Sequence, residues 1–422
     1  MLKNMELFFF FSIDDAPAFK VAFKNDVLPL ITSTTQMLNN VPTTPVNVAF
    51  SASGLSDLGI SGDDLNDGDF TSGQKSAASS LGDPGTVNWE PAFTGGTIDG
   101  VFLIAGGSQA DIDATLNTIK AALGSAISEV YSLQGAARPG AEAGHEHFGF
   151  LDGISNPGID GFTSSFKAGQ ANVPAGEILL GEVNDFTTRP DWAKDGSFLV
   201  FRQLKQLVPE FNKFLADNPV PVPGLTPQQQ SDLLGARMVG RWKSGAPIML
   251  APLTDDPALG ADPSRNNNFT YTEPGASDQS KCPFSAHIRK TRPRGDLGGD
   301  QNSNHHIMRA GIPFGEEVTA EEASSHTTTI NRGLAFVSYQ SSIGSGFAFL
   351  QSAWANNPFF VRSGTGFDPI IGANGGNSRP VGGLDPTNTA KQTTLVTDFV
   401  VSQGGEYFFS PSLSALENTI AA

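Results

Sequence analysis

One cysteine, Cys282, stands in a chain of 422 residues. That excludes an internal disulfide and any cysteine cluster able to hold zinc or an iron–sulfur centre. Basic residues are also scarce: 26 Lys plus Arg against 43 Asp plus Glu give a formal charge of -17 and a pI near 4.7. Such a chain repels nucleic acid and anionic membrane surfaces, so neither is expected as a partner. Long hydrophobic runs are missing as well. The longest near the start, "LFFFFSI" at residues 7–13, is too short to cross a bilayer and runs straight into Asp14 and Asp15. It reads as a buried strand and makes a poor secretion signal, because Lys3 is the only basic residue before it and no small-residue cleavage site follows. A leader removed ahead of this sequence is therefore expected, and the composition, poor in Lys and Arg and rich in Gly and Pro, suits an extracellular, secreted protein. One glycosylation triplet, Asn268-Phe269-Thr270, would suit such a location.

What is abundant is glycine, 47 residues, proline, 28, and phenylalanine, 31. Length alone allows one or two domains, and the patterning favours two. "MELFFFFSI" reads as a strand, "APAFKVAFKNDVLPLITSTTQML" as a helix with one buried face, and "VNVAFS" and "GVFLIAGG" as two further strands. "SQADIDATLNTIKAALG" then opens on a Ser108 cap and sets Ile112, Leu116, Ile119 and Leu123 on one stripe, before "SEVYSLQGA" closes the set. The order is β-α-β-β-α-β. A second such unit begins at "GSFLVFRQL", with the helix "VPEFNKFLADN", strands at "FSAHIRK" and "RGLAFVSYQ", the helix "SGFAFLQSAWANN" and a last strand "GGEYFFSPS". The fold class expected is α+β: two ferredoxin-like domains, residues 1–190 and 191–422, each with an antiparallel sheet and its helices on one face. The seam falls near residues 185–195. The Gly-, Ser-, Asn- and Pro-rich stretches between elements read as surface loops.

Five of the six histidines fall in two places, His145 and His147 just ahead of "GFLDGISNPG", and His287, His305 and His306 further on. A zinc or copper site is one reading, although no spacing among them matches a common metal motif. Asp152, alone among glycines and apolar residues, could simply cap a turn through its side chain.

Three stretches point elsewhere: "EHFGFLDGISNPG", "CPFSAHIRKTRPR" and "HHIMRAGIPFG". Together, and in this order, they resemble the dye-decolorizing peroxidases, specifically the acidic fungal members of that haem-peroxidase family. "ELFFFFSI", "GLAFVSYQSS" and "QSAWANNP" are similar to the same group, so the resemblance runs over nearly the whole chain. At its centre is the GxxDG motif, here Gly149, Phe150, Leu151, Asp152 and Gly153.

The resemblance implies one haem b per chain, with the pocket mainly in the second domain. It makes His287 the proximal ligand of the iron, with the far side open to hydrogen peroxide. A carboxylate should accept the other ring N–H of that histidine. Asp398 in "TLVTDFVV" is matched to this role, with Asp368 in "GTGFDPIIG" as its rival. On the open side the resemblance implies Asp152 as distal acid–base and Arg309 as the fixed positive charge that stabilises O–O cleavage. Gly149 and Gly153 let the backbone turn close to the porphyrin, and Phe150 and Leu151 keep the pocket dry. An aspartate stays ionised at a pH where histidine is protonated, so work in acid is expected. The substrates implied are peroxide and bulky aromatic molecules such as dyes and phenols, with Tyr339 as a surface electron-transfer site and Trp354 as an alternative. Other readings stay open from the residues alone: a haem-binding or haem-transfer protein without peroxidase turnover, and an extracellular structural protein. A monomer or a homodimer is expected.

Overall fold

A computed structural model describes residues 4–298 and 304–422. β1 (Met5–Ile13) shows why its apolar run is unbroken: both faces are covered. Phe8 and Phe10 pack inward with Leu199, Phe201, Phe314 and Phe408, while Leu7, Phe9 and Phe11 pack outward against Phe19, Phe23, Ile112 and Ile119 of the helices. Burying each such ring is worth about 1.5–3 kcal/mol, so this strand anchors both layers. β2 (Val46–Phe50), β3 (Gly100–Gly106) and β4 (Ile127–Ala136) complete the first sheet in the order β2-β3-β1-β4, all antiparallel. Between β3 and β4 lies the helix Gln109–Leu123; Ser108 caps it by accepting the Asp111 N–H, and Gly124 follows it.

After two short paired strands, β5 (Gly158–Ile159) and β6 (Asn172–Val173), the second sheet starts with β7 (Ser197–Gln206). β8 (Met308–Arg309), β9 (Ile312–Phe314) and β10 (Gly333–Gln340) follow, and β8 and β9 both pair with β10. A separate ribbon of β11 (Arg379–Gly382) and β12 (Gln392–Leu395) precedes the last strand, β13 (Val400–Ser410). β7 lies between β10 and β13, so both halves have the ferredoxin-like order.

The two sheets do not stand apart. β13 meets β2 at Phe409 and Phe50, and β4 meets β9 at Gly135 and Phe314, so with β7 paired to β10 the strands return on themselves as a barrel. A Cβ at residue 135 would run into Ile312, which is why a glycine stands at that seam.

One expected strand is not a strand. "FSAHIRK" holds the helical turn His287–Lys290, closed by the Lys290 N–H to Ala286 O and the Thr291 N–H to His287 O. Its consecutive cations Arg289 and Lys290 are both buried, the first on Asp296 and backbone carbonyls, the second on the carbonyls of Trp354, Asn357 and Phe360. The second strand of the unit comes instead from β8 and β9.

Candidate functional site

Beyond β4 the chain folds back over residues 144–152. His145 pairs with Leu151 as an antiparallel bridge, and the Asp152 N–H donates to Gly144 O at 3.0 Å. At the tip, the Gly149 N–H donates to Glu146 O at 2.8 Å. Gly149 and Gly153 adopt φ of 92° and 79°, the left-handed region that other residues enter at a cost. A Cβ at residue 153 would touch nothing in the protein, so the requirement there is the turn itself. Phe150 is buried in the core of the second half with Phe148, Phe211 and Leu215, and Leu151 is only partly buried. Phe150 therefore serves as the anchor of this turn in the protein core.

Asp152 Oδ1 accepts the Gly153 N–H at 2.6 Å and Arg309 Nη1 at 2.7 Å. Arg309 lies in β8, and its main chain is held from both sides by Asn156, which accepts the Arg309 N–H at 3.2 Å and donates to its carbonyl at 2.9 Å. The two charged side chains keep 38% (Asp152) and 32% (Arg309) of their surface open. Their enclosure by surrounding protein pushes the Asp152 carboxyl up, but the Arg309 charge and hydrogen bond, the Gly153 amide and the nearby His287 outweigh it and hold it below the usual carboxylate range. Among the described residues Oδ2 bonds no group. Asp152 lines a cleft of about 180 Å³ with Gly153, Lys167, Gln170, Asn266 and Asn267.

His287, the first residue of its helical turn, sets Nδ1 at 2.8 Å from Asp368 Oδ2. Asp368 is wholly buried, and its Oδ1 accepts the amides of Ile370 at 2.8 Å and Ile371 at 3.0 Å. Burial pushes this carboxyl up; His287 and the two amides outweigh that and hold it below its ordinary value. An ionised carboxylate can only accept, so a neutral His287 keeps its proton on Nδ1 and presents a lone pair at Nε2. Among the described residues nothing bonds Nε2.

Asp398 does not reach His287. It sits in the turn between β12 and β13, 2.9 Å from Nε of Arg379, whose guanidinium reaches on to the carbonyls of Asp368 and Gly372. Asp398 thus stands one residue removed, behind Asp368. The alternation of "TLVTDFVV" suggested a strand; the break in β pairing at residues 396–399 turns the carboxylate to Arg379 instead.

Tyr339 is partly buried. Its hydroxyl accepts from Asn47 Nδ2 at 3.3 Å, its ring packs against two apolar clusters, and desolvation pushes the phenol well up. Trp354 is buried, stacked on Phe360 with ring centroids 4.8 Å apart. The remaining histidines disperse: His147 Nε2 lies 2.9 Å from Phe314 O, His305 stacks on Phe349, and His306 pairs with Glu177 at 2.8 Å. Among the described residues no cluster of three or more His, Cys, Asp or Glu could hold a metal ion. The functional residue not singled out from sequence is Asn156. It stood inside the quoted motif, but a side chain that grips another segment's backbone leaves no periodic signal.

Residues 1–139 match the family described as DyP dimeric alpha+beta barrel domain, and residues 145–358 match Dyp-type peroxidase, C-terminal. Over its full length the chain is 55% identical to dye-decolorizing peroxidase msp1 of Mycetinis scorodonius and 52% identical to dye-decolorizing peroxidase AauDyP1 of Auricularia auricula-judae, covering 85% of each. A crystal structure of a decolorizing peroxidase from Auricularia auricula-judae superposes with a TM-score of 0.96 at 51% identity, covering all of this chain and 97% of that one.

Proposed function

Since the chain belongs to the dye-decolorizing peroxidase family, we propose that it uses hydrogen peroxide to oxidise bulky aromatic compounds, dyes and phenols among them, in acid solution and with one haem b per chain. The observation that carries this reading is the Asp152–Arg309 pair, with one oxygen of its carboxylate left free, near an imidazole whose Nε2 is also free. That donor set fits a haem. His287 would hold its iron through Nε2, and Asp368, accepting the Nδ1 proton, would make the imidazole a stronger donor. Bound haem would take up the two oxidising equivalents of peroxide and hand them on to a reductant.

The work of the chain's own residues follows from charge and position. A peroxide that breaks heterolytically must lose a proton from one oxygen and regain it on the other, which leaves as water. Asp152 Oδ2 is the atom free to carry that proton. Arg309, always ionised, sits where negative charge builds on the departing oxygen, and its contact with Oδ1 fixes the direction of the carboxylate. Bulky reductants would deliver electrons through the protein to a group held in so small a cleft, about 180 Å³. Tyr339, only partly buried, is the proposed relay of that delivery. Residues 1–190 bring the proton carrier, and residues 191–422 bring the guanidinium and the imidazole. Secretion into an acid medium accords with the charge of -17.

The pH dependence has a definite sign. Asp152 is held below the ordinary carboxylate value, so it remains a base in mild acid and loses that role only as pH falls through its lowered pKa. The peroxide step of the purified holoprotein, followed from about pH 3 to 7, should already run at its full rate in mild acid and fall only below it, as Asp152 is protonated. A rate that climbs steadily up to neutrality would contradict the assignment. A Soret band without any peroxide-dependent dye bleaching would leave a haem carrier instead.

A further inference from the structure

We propose that Glu146 is a positioning residue for Asp152, acting by closing the turn from which the proton-carrying carboxylate projects; this rests on the function proposed above. Three donors converge on its partly buried carboxylate. Oε1 accepts the Phe150 N–H at 2.8 Å, while Oε2 accepts the Phe148 N–H at 2.9 Å and the side-chain amide of Gln206 in β7. The same residue's main chain closes the turn from the other side. Its N–H donates to Phe150 O at 3.1 Å, and its carbonyl accepts the Gly149 N–H and Arg138 Nη1, each at 2.8 Å. Arg138 is itself fixed by two hydrogen bonds to Glu317.

This arrangement is costly unless something needs it. A carboxylate withdrawn from water beside a second carboxylate is disfavoured, and both burial and the charge of Asp152 push Glu146 up. The groups around it divide by sign: Arg138 is the cation in contact, with Glu142, Glu317 and Asp152 as the anions and His147 alongside. What a carboxylate offers here is acceptance on both oxygens, which a glutamine cannot match, since its NH₂ would confront a donor. The consequence is geometric. With the Phe148 and Phe150 amides held on one acceptor group, Gly149 takes its left-handed conformation and the chain returns so that Leu151 pairs with His145 and the Asp152 amide meets Gly144 O. Asp152 then leaves the hairpin aimed at Arg309.

The test is a double-mutant cycle on holoenzyme, reading the bimolecular rate with peroxide by stopped flow, the Soret band for haem content, and the KM for a small phenol. Glu146→Gln should slow the peroxide step roughly tenfold to a hundredfold, the scale of a displaced catalytic group, without altering haem content or the phenol KM. In an Asp152→Asn background the same substitution should change the rate by less than about twofold, because the group it positions is already inactive. The same factor in both backgrounds, or no loss in the single variant, overturns the proposal. Should Glu146→Gln fail to fold, Gln206→Met, which withdraws only the outer donor, is read in the same way and should give a smaller loss that also vanishes with Asp152→Asn. An Asp152→Asn enzyme as fast as the parent would instead refute the proposed function.

Discussion

The two carboxylates of the site are held by opposite means. Asp368, beside His287, has no exposed surface and is fixed by two backbone amides and an imidazole. Asp152, on the side proposed to face peroxide, keeps 38% of its side chain open, projects from a loop, and takes its direction from an arginine side chain. A group that only has to hold a ligand's proton can be sealed in the core. A group that must meet a reactant and exchange protons with it has to stay accessible, and its precision must come from the turn behind it. The buried side is therefore expected to govern cofactor retention and electronic tuning, and the open side the rate with peroxide.

The largest expected effect breaks the proximal side outright: His287→Ala should abolish or strongly weaken haem retention, read as loss of the Soret band in protein that remains folded by circular dichroism. Full haem occupancy in that variant would remove His287 as the ligand. Next, Asp368→Asn should keep haem but cost roughly tenfold to a hundredfold in the peroxide step, with a rise in the reduction potential of the bound cofactor, because the ring loses an anionic partner. An unchanged potential would show that the 2.8 Å contact is merely structural. The smallest effect sharpens the contrast between Asp368 and Asp398. Asp398→Asn should leave the peroxide rate within about twofold while lowering stability by about 2 kcal/mol, less than a fully buried pair, since Asp398 is 20% exposed while its partner Arg379 is wholly buried. Thermal unfolding and stopped flow on the same sample would check both.

Much of this was legible in the residues. The apolar strand β1, the capped helix Gln109–Leu123 and the β-α-β-β-α-β order of the first half are local patterns, and local patterns survive folding; in the second half the strand expected at "FSAHIRK" is a helical turn. The closing of two sheets into a barrel was not legible, because the contacts of Phe50 with Phe409 and of Gly135 with Phe314 join residues far apart in the chain and carry no periodicity. The same holds at the site. Asp152 and Arg309 could be named from motifs, and the structure sets them 2.7 Å apart. The histidine's partner could not be chosen by strand alternation: Asp368 lies in a glycine-flanked loop, where the backbone turns its carboxylate inward, whereas the more strand-like Asp398 binds Arg379. Asn156 and Glu146 were silent for a related reason. Both act on backbone atoms of other residues, and a hydrogen bond to a main-chain amide demands no matching residue type in the sequence.

The most direct test of the central claim, that Asp152 carries the peroxide proton, is the bimolecular rate of the Asp152→Asn holoenzyme with hydrogen peroxide in mild acid. The expected result is a fall of about 10²- to 10⁴-fold with haem content and Soret spectrum intact. A rate within twofold of the parent enzyme, in protein carrying its full complement of haem, would contradict it.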